Sequence, residues 1–177
     1  MKLKKWASAA ALAVAGLGVG TAAQAAPIAL ELSLVIDVSG SISTAEYNRQ
    51  RQGYQNAFLD STVQSNILSF ASAGGIAVNV IQFGTNAAQS IGWTLLDSAS
   101  AINTFAALIG SMTRLSPGGS STDVEDGLKL AINSILNNSY EGVRRVIDVS
   151  GDGHQNTDPS CSASGPSYNQ ACAAVRA

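Results

Sequence analysis

Three polar runs of the sequence carry the side chains best suited to chemistry. Asp37, Ser39 and Ser41 alternate with other residues at the end of an apolar segment. Asp152 follows a second such segment, and Gly-Gly-Ser-Ser-Thr-Asp occupies 118–123. Carboxylate and hydroxyl oxygens suit hard cations such as Mg²⁺, which takes six oxygen ligands at about 2.1 Å and keeps waters readily. The runs therefore predict a divalent-cation site, provided that the fold brings them together.

The balance of charge in such a site indicates what it binds. Two carboxylates cancel the charge of a divalent cation, and hydroxyl oxygens add none. An anionic group of a partner would then still be attracted to the ion, whereas a cage of many carboxylates would repel it. Few carboxylates with several hydroxyls are therefore typical of a site that is open to an acidic ligand from outside.

Apolar strand-like segments alternate with helix-like segments along the chain. This alternation predicts an α/β fold: a doubly wound, mostly parallel central sheet with helices on both faces. The carboxyl ends of parallel strands share one edge of the sheet, where open α/β folds place their ligand sites. The three polar runs are expected to meet at that edge. The predicted strands cover 30–38, 76–83, 90–96 and 143–149, the third of them antiparallel.

The first predicted helix begins at a capping box formed by Ser43 and Glu46. Gly53 lies inside this helix, where it costs some stability and indicates close packing against a neighbour. The large apolar residues of the helix recur on one face, which predicts the side that packs on the sheet. They are Tyr47, Tyr54 and Phe58.

Two further helices are predicted from helical spacing of apolar residues. One follows a cap at Ser98 or Ser100, and the other covers about 123–137. Their expected core residues are Ile102, Phe105, Leu108, Ile109 and Met112 in the first, and Val124, Leu128, Ala131 and Ile135 in the second.

The sequence Asp37-x-Ser39-x-Ser41 at the end of an apolar strand resembles the signature of the metal-ion-dependent adhesion site, or MIDAS, of von Willebrand factor A domains. The Asp-Gly at the end of the family's fourth strand is matched by Asp152-Gly153. The resemblance runs from about residue 30 to residue 153, with the elements in the family's order. It implies a von Willebrand factor A fold, which is Rossmann-like.

The resemblance also assigns a threonine. In the family, this threonine is followed five residues later by a small residue and six later by an apolar one, as Thr122 is by Gly127 and Leu128. The implied function is a binding or adhesion module that is not an enzyme. The implied cation is Mg²⁺, with Mn²⁺ or Ca²⁺ as alternatives, and the implied partner presents a carboxylate. The implied metal ligands are Asp37, Ser39, Ser41, Thr122 and Asp152.

Two segments resemble a narrower group. YNRQRQGYQ at 47–55 and RVIDVSGDG at 145–153 are similar to a bacterial subfamily of exported A-domain proteins, catalogued as a domain of unknown function. This similarity indicates lineage more than activity.

The chain departs from the A-domain pattern in three places. Asp148 lies inside the fourth strand, where a buried carboxylate needs a partner, so we expect a donor such as Arg144, Arg145 or a loop amide. Asp123 and Asp126 beside the threonine are interpreted as helix N-terminal charge. The family continues with further strands, so the sheet is expected to be incomplete at its carboxyl end.

Residues 1–25 are predicted to be an export signal. Lysines at 2, 4 and 5 precede an apolar run over 6–19 and a small-x-small cleavage pattern that ends at Ala25. The run is shorter than the roughly 20 residues that a membrane span needs. Cleavage would leave residues 26–177 as one A domain, with a loop insertion at about 154–170, located in the periplasm, outside the cell or on its surface.

Loss of the three signal lysines moves the net charge from −2 to −5, because seven Lys and Arg then face twelve Asp and Glu. An acidic chain of this kind is a poor candidate for binding nucleic acid or an anionic membrane. In an exported protein, Cys161 and Cys172 are expected to form a local disulfide.

Other functions remain as alternatives. An A-domain scaffold that binds partners without metal keeps the fold and uses another surface. A hydrolase that uses Ser150, His154 and Asp158 as a catalytic triad is a second alternative, although the chain has no G-x-S-x-G motif. The alternate spacing from Asp152 to Asp158 is that of a calcium loop, but it lacks the central glycine and final glutamate of an EF-hand. A surface loop is the preferred interpretation there.

Overall fold

The computed structural model describes residues 25–116 and 119–157. The predicted export signal before Ala25, Asp158, both cysteines and most of the predicted loop insertion lie outside the described residues. The strands are β1 Ala26–Asp37, β2 Ile76–Phe83, β3 Ala87–Leu96 and β4 Tyr140–Ser150. The helices are α1 Thr44–Leu59, α2 Ser61–Leu68, a short 3₁₀ turn at Ala71–Ala73, α3 Ala99–Ser111 and α4 Val124–Leu136.

The four described strands form one mixed sheet in the order β3-β2-β1-β4. β1 pairs in parallel with β2 and with β4, and β3 is antiparallel to β2. The α/β fold, the mostly parallel sheet and the antiparallel third strand are therefore confirmed. Since β1, β2 and β4 run in the same direction, their carboxyl ends lie at one edge of the sheet.

Helices cover both faces of the sheet. The larger core lies between one face and the helices α1 and α3, and its centre includes the edge-to-face pair Phe58 and Phe105, whose ring centroids are 4.9 Å apart. The smaller core lies under α4 on the other face. In the part of the chain that the structure describes, no helix has both the length and the apolar character needed to cross a membrane.

Side-chain caps mark the first residues of the helices. Ser43 and Glu46 form the reciprocal capping box at the start of α1, and Ser98, the first of the two predicted candidates, caps α3. The helix α2 was not predicted, because its eight residues carry no clear apolar stripe. Its start depends on Asp60, whose carboxylate accepts hydrogen bonds from the amides of Thr62 and Val63.

Three predictions about single residues are wrong. Leu108 is 43% exposed, because it lies off the face of α3 that packs on the sheet. A Cβ atom on Gly53 would meet nothing within 4 Å, so this glycine does not mark a close contact. Asp148 is exposed because β4 is the edge strand of the described sheet, and it therefore needs no buried donor. Arg145 bonds instead to Glu31 and Glu141.

A different glycine does permit a close approach. A Cβ atom on Gly127 of α4 would lie 2.9 Å from Cγ1 of Val35 and 3.1 Å from Cγ of Phe83. Both neighbours are fully buried in the sheet. Gly127 therefore lets α4 pack tightly on β1 and β2, and this packing holds the residues just before α4 close to the carboxyl edge of the sheet.

We expect Gly127→Ala to lower the free energy of unfolding by about 1 kcal/mol, because an overpacking cost of about 1–3 kcal/mol exceeds a helix-propensity gain of about 1 kcal/mol. The matched control is Gly53→Ala, which gains the propensity without the clash and should stabilise the protein by about 0.5–1 kcal/mol. Urea denaturation measures both changes. Equal effects of the two substitutions would show that Gly127 does not control the packing of α4.

Candidate metal centre

Asp37, the last residue of β1, is fully buried at the carboxyl edge of the sheet. Its Oδ1 accepts a hydrogen bond of 2.8 Å from the amide of Ser39. Its Oδ2 is buried and has no partner among the described residues. A buried carboxylate oxygen without a partner is costly, and a cation is the type of ligand that would satisfy it.

The hydroxyl groups next to Asp37 form a continuous chain. Thr122 Oγ1 donates to Ser39 Oγ at 3.1 Å, and Ser39 Oγ lies 3.2 Å from Ser41 Oγ. Ser41 Oγ in turn donates to Asp152 Oδ1 at 2.9 Å. The three loops therefore meet, as the sequence predicted, and all five predicted side chains lie in one cluster.

Gly151 helps to bring Asp152 close to Asp37. A Cβ atom on Gly151 would lie 2.9 Å from Asp37 Oδ2 and 3.2 Å from Asp37 Cβ. The backbone before Asp152 thus packs directly against the buried carboxylate, with no room for a larger residue. Within the described ranges, no group of three or more His, Cys, Asp or Glu side chains is placed to hold a metal ion.

Thr122 is held in the cluster from two sides. The amide of the next residue, Asp123, donates to the carbonyl of Gly84, just after β2, at 2.8 Å. On the other side, Asn156 forms two hydrogen bonds with the backbone of Thr122. Its Oδ1 accepts from the amide of Thr122 at 2.8 Å, and its own amide donates to the carbonyl of Thr122 at 3.1 Å. Thr122 is therefore fixed relative to both β2 and the segment after Asp152.

Asn156 was not predicted to take part in the site, because sequence reasoning assigned residues 154–157 to a surface loop. The alternate spacing after Asp152 was the available signal. Two side chains of this segment bond to other parts of the chain: Gln155 Oε1 accepts from the amide of Glu125, in the first turn of α4, and Asn156 Oδ1 accepts from the amide of Thr122. The role of the segment is to join the Asp152 loop to the threonine loop.

Asp123 and Asp126 belong to the start of α4. Asp123 Oδ1 accepts from the amide of Asp126 at 3.1 Å as the N-cap, in line with the interpretation as helix N-terminal charge. Burial raises the pKa of Asp126, the negative charge of Asp123 raises it further, and Lys129 opposes both effects. These carboxylates therefore stabilise the start of α4, the helix that follows the threonine loop.

The hydroxyl of Ser150 is engaged by α1. Gln50 Nε2 and Tyr54 OH donate to Ser150 Oγ at 3.1 and 3.2 Å. Burial is the main reason that the pKa of Tyr54 is raised. His154 is exposed on the following loop. The described contacts of Ser150 are thus with α1 and not with the imidazole that the hydrolase hypothesis requires.

A cleft lies beside Asp152, between the Asp152 loop and α1. It has a volume of about 260 Å³. Its wall combines apolar, acidic and amide side chains with the backbone of the Asp152 loop. The lining residues are Ile42, Glu46, Gln50, Ser150, Gly151 and Asp152.

Comparison with known proteins places the chain in a family. The model of a family described as a protein of unknown function (DUF1194) matches residues 27–174. The chain belongs to this family. The predicted similarity to a subfamily of unknown function is thereby confirmed. No curated protein matches the chain.

Solved structures show the fold. The von Willebrand factor domain of the type V pilus tip protein Mfa5 from Porphyromonas gingivalis superposes with a TM-score of 0.50 at 18% identity, over 74% of this chain and 40% of that one. The PilB minor pilin from Streptococcus sanguinis gives 0.54 at 22% identity, over 78% of this chain and 34% of that one. The DUF1194 chain therefore has a von Willebrand factor A fold.

A third structure of this fold has been solved with metal. Proximal thread matrix protein 1 from the mussel byssus, with its MIDAS motif occupied by zinc, superposes with a TM-score of 0.52 at 23% identity, over 76% of this chain and 31% of that one. This chain spans 40% or less of the length of each of these three relatives.

The unpartnered oxygen of Asp37 predicts that this carboxylate lowers the stability of the metal-free protein. We expect Asp37→Asn to raise the free energy of unfolding in EDTA by about 1 kcal/mol, because a neutral amide costs less to bury than an unpaired anion. The substitution keeps the oxygen that accepts from Ser39. Urea denaturation measures the effect, with Asp148→Asn at an exposed carboxylate as the control. A destabilised Asp37→Asn variant would contradict the prediction.

Proposed function

We propose that this protein is an exported binding module that holds a divalent cation and binds an acidic group of a partner protein through it. The proposed ligands of the cation are Asp37, Ser39, Ser41, Thr122 and Asp152. The observation that carries the proposal is the hydrogen-bonded chain that runs from Thr122 through Ser39 and Ser41 to Asp152. It lies beside the buried Asp37, whose carboxylate has an unpartnered oxygen and is joined to this chain by the amide of Ser39.

The composition of the cluster supports Mg²⁺ or another hard cation. All five side chains offer oxygen atoms, two of the groups are anionic, and Mg²⁺ prefers oxygen ligands and keeps water in its remaining positions. The relative from the mussel byssus has zinc in its MIDAS motif, so Mn²⁺, Ca²⁺ and zinc belong in the test beside Mg²⁺. When bound, the ion would supply a positive charge on which an external carboxylate can be held.

The proposed partner and location follow from the same features. Two carboxylates balance the charge of a divalent ion, so the occupied site would not repel an anion. Ser41 and Asp152 are exposed, which leaves one side of the cluster open to solvent. The relatives of this fold include a pilus tip protein, a minor pilin and a byssus matrix protein. These relatives support a protein ligand and, together with the predicted export signal, a place of action outside the cytoplasm.

We expect Mg²⁺ and Mn²⁺ to bind the wild-type protein with one ion per chain, and Asp37→Ala and Asp152→Ala to weaken the binding at least about tenfold, since each removes one of two anionic ligands. Saturation at about 100 times the dissociation constant should stabilise the wild-type fold by about 2.7 kcal/mol. Calorimetric titration and thermal unfolding measure these two effects.

The matched control for this titration is Asp148→Ala, which removes an exposed carboxylate from the same strand end and should leave metal affinity unchanged. Loss of binding in this variant would place Asp148 among the ligands. Wild-type protein that binds none of the tested ions would instead support a scaffold that binds its partners without metal.

Because one side of the proposed site is open to solvent, we expect a small carboxylate to bind the metal ion directly. Acetate should displace an exchangeable water from protein-bound Mn²⁺ and so lower the enhancement of water-proton relaxation, because its carboxylate stands in for the acidic group of a partner. Chloride at the same ionic strength is the control for screening. Identical relaxation in acetate and chloride would indicate that the protein closes the coordination sphere by itself.

A further inference from the structure

Arg114 lies just after α3 and reaches the 38–42 loop, which carries two of the proposed metal ligands, Ser39 and Ser41. Its Nη2 atom donates to the backbone carbonyls of Val38, Ser39 and Ile42, each at 2.8 Å. Three carbonyls of one five-residue loop therefore converge on a single guanidinium group.

The arginine is itself held in place by buried groups. Gln82, fully buried in β2, donates to the carbonyl of Thr113 at 2.8 Å and accepts from the amide of Leu115 at 3.0 Å, so the residues on either side of Arg114 are fixed to the sheet. The guanidinium carbon lies 5.9 Å from the ring centroid of Tyr47. Because the segment around it is anchored, Arg114 does not have to be ordered when a ligand arrives.

These contacts fix the direction of the metal-binding side chains. The carbonyls of Val38 and Ser39 belong to the two peptide groups that flank the Cα atom of Ser39, so fixing both fixes the orientation of its side chain. Ser41 lies between the anchored carbonyls of Ser39 and Ile42. The always-charged guanidinium suits this role, because the three carbonyls gather on its Nη2 atom and a charged donor forms stronger hydrogen bonds than a neutral one.

We propose that Arg114 is a positioning residue of the metal centre, one that holds the 38–42 loop in its binding geometry before the cation arrives. The proposal depends on the proposed function for its metal-binding consequence, but its effect on the loop does not require a metal. A site that is already ordered avoids the entropic cost of ordering upon binding.

The charge of Arg114 acts in the opposite direction from its geometry. A nearby positive charge repels a cation, so a residue that acted through charge alone would bind metal more tightly when neutralised. Arg114→Lys keeps the charge, but its shorter side chain does not reach the position of Nη2, and Arg114→Gln loses both the charge and the reach. Weaker metal binding in both variants is therefore the signature of positioning.

The first experiment is done without metal. The amide of Ile42 donates to the carbonyl of Ser39 at 3.1 Å inside the loop. In EDTA, we expect its hydrogen exchange to be about tenfold faster in Arg114→Gln, because the loop opens more often. The matched control is Arg51→Gln, which removes a guanidinium contact to the carbonyl of Gly110, between α1 and α3, and leaves the metal loop untouched. Unchanged exchange in Arg114→Gln would overturn the proposal.

The second experiment is calorimetric titration of Mg²⁺ into the same proteins. We expect Arg114→Lys and Arg114→Gln to bind about tenfold more weakly than wild type, a change of about 1.4 kcal/mol, and Arg51→Gln to stay within about twofold. Wild-type binding with equal affinity in the Arg114 variants, or tighter binding in Arg114→Gln, would overturn the positioning role. Faster exchange in Arg114→Gln together with no metal binding by wild type would instead refute the proposed function and leave the structural role of Arg114 intact.

Discussion

The central strand β1 pairs in parallel with β2 on one side and with β4 on the other, and the candidate metal centre depends on that pairing. Parallel neighbours place their carboxyl ends at one edge, so the loop after Asp37 and the loop before Asp152 meet although 115 residues separate them along the chain. The tight packing of α4, which Gly127 permits, brings Thr122 to the same edge. The cluster is therefore a consequence of sheet direction and of one close helix contact.

The same arrangement leaves the protein with an electrostatic cost. The carboxylate of Asp37 is removed from water, and one of its oxygens has no partner among the described residues, while the other accepts only from the amide of Ser39. Folding tolerates such a group because the loops are held by contacts outside the cluster. Arg114 binds the carbonyls of the serine loop, and Asn156 binds the backbone of Thr122. The side chains proposed to bind the cation and those that hold the loops are thus different residues.

Much of the fold could be predicted from patterns in the sequence. The segment 76–83 was located at the bounds it has in the structure, because glycines at 74, 75 and 84 flank a mostly apolar run of strand length. The start of α1 followed from its capping box. Predictions failed where burial depends on position in the sheet. Asp148 lies between two apolar residues of β4, yet it is exposed because β4 lies at the edge of the described sheet.

The sequence by itself determined the candidate site: the spacing of Asp37, Ser39 and Ser41, together with the resemblance to A domains that adds Thr122 and Asp152, was sufficient to name the five side chains that the structure brings together. Such motifs are local, so spacing along the chain records them. The tertiary structure alone decided what holds these side chains. Arg114 and Asn156 act through backbone groups that lie 72 and 34 residues away in sequence at the nearest. A hydrogen bond to a backbone carbonyl or amide leaves no trace in the identity of the residue that supplies it, and only the folded chain shows which backbone groups lie within reach.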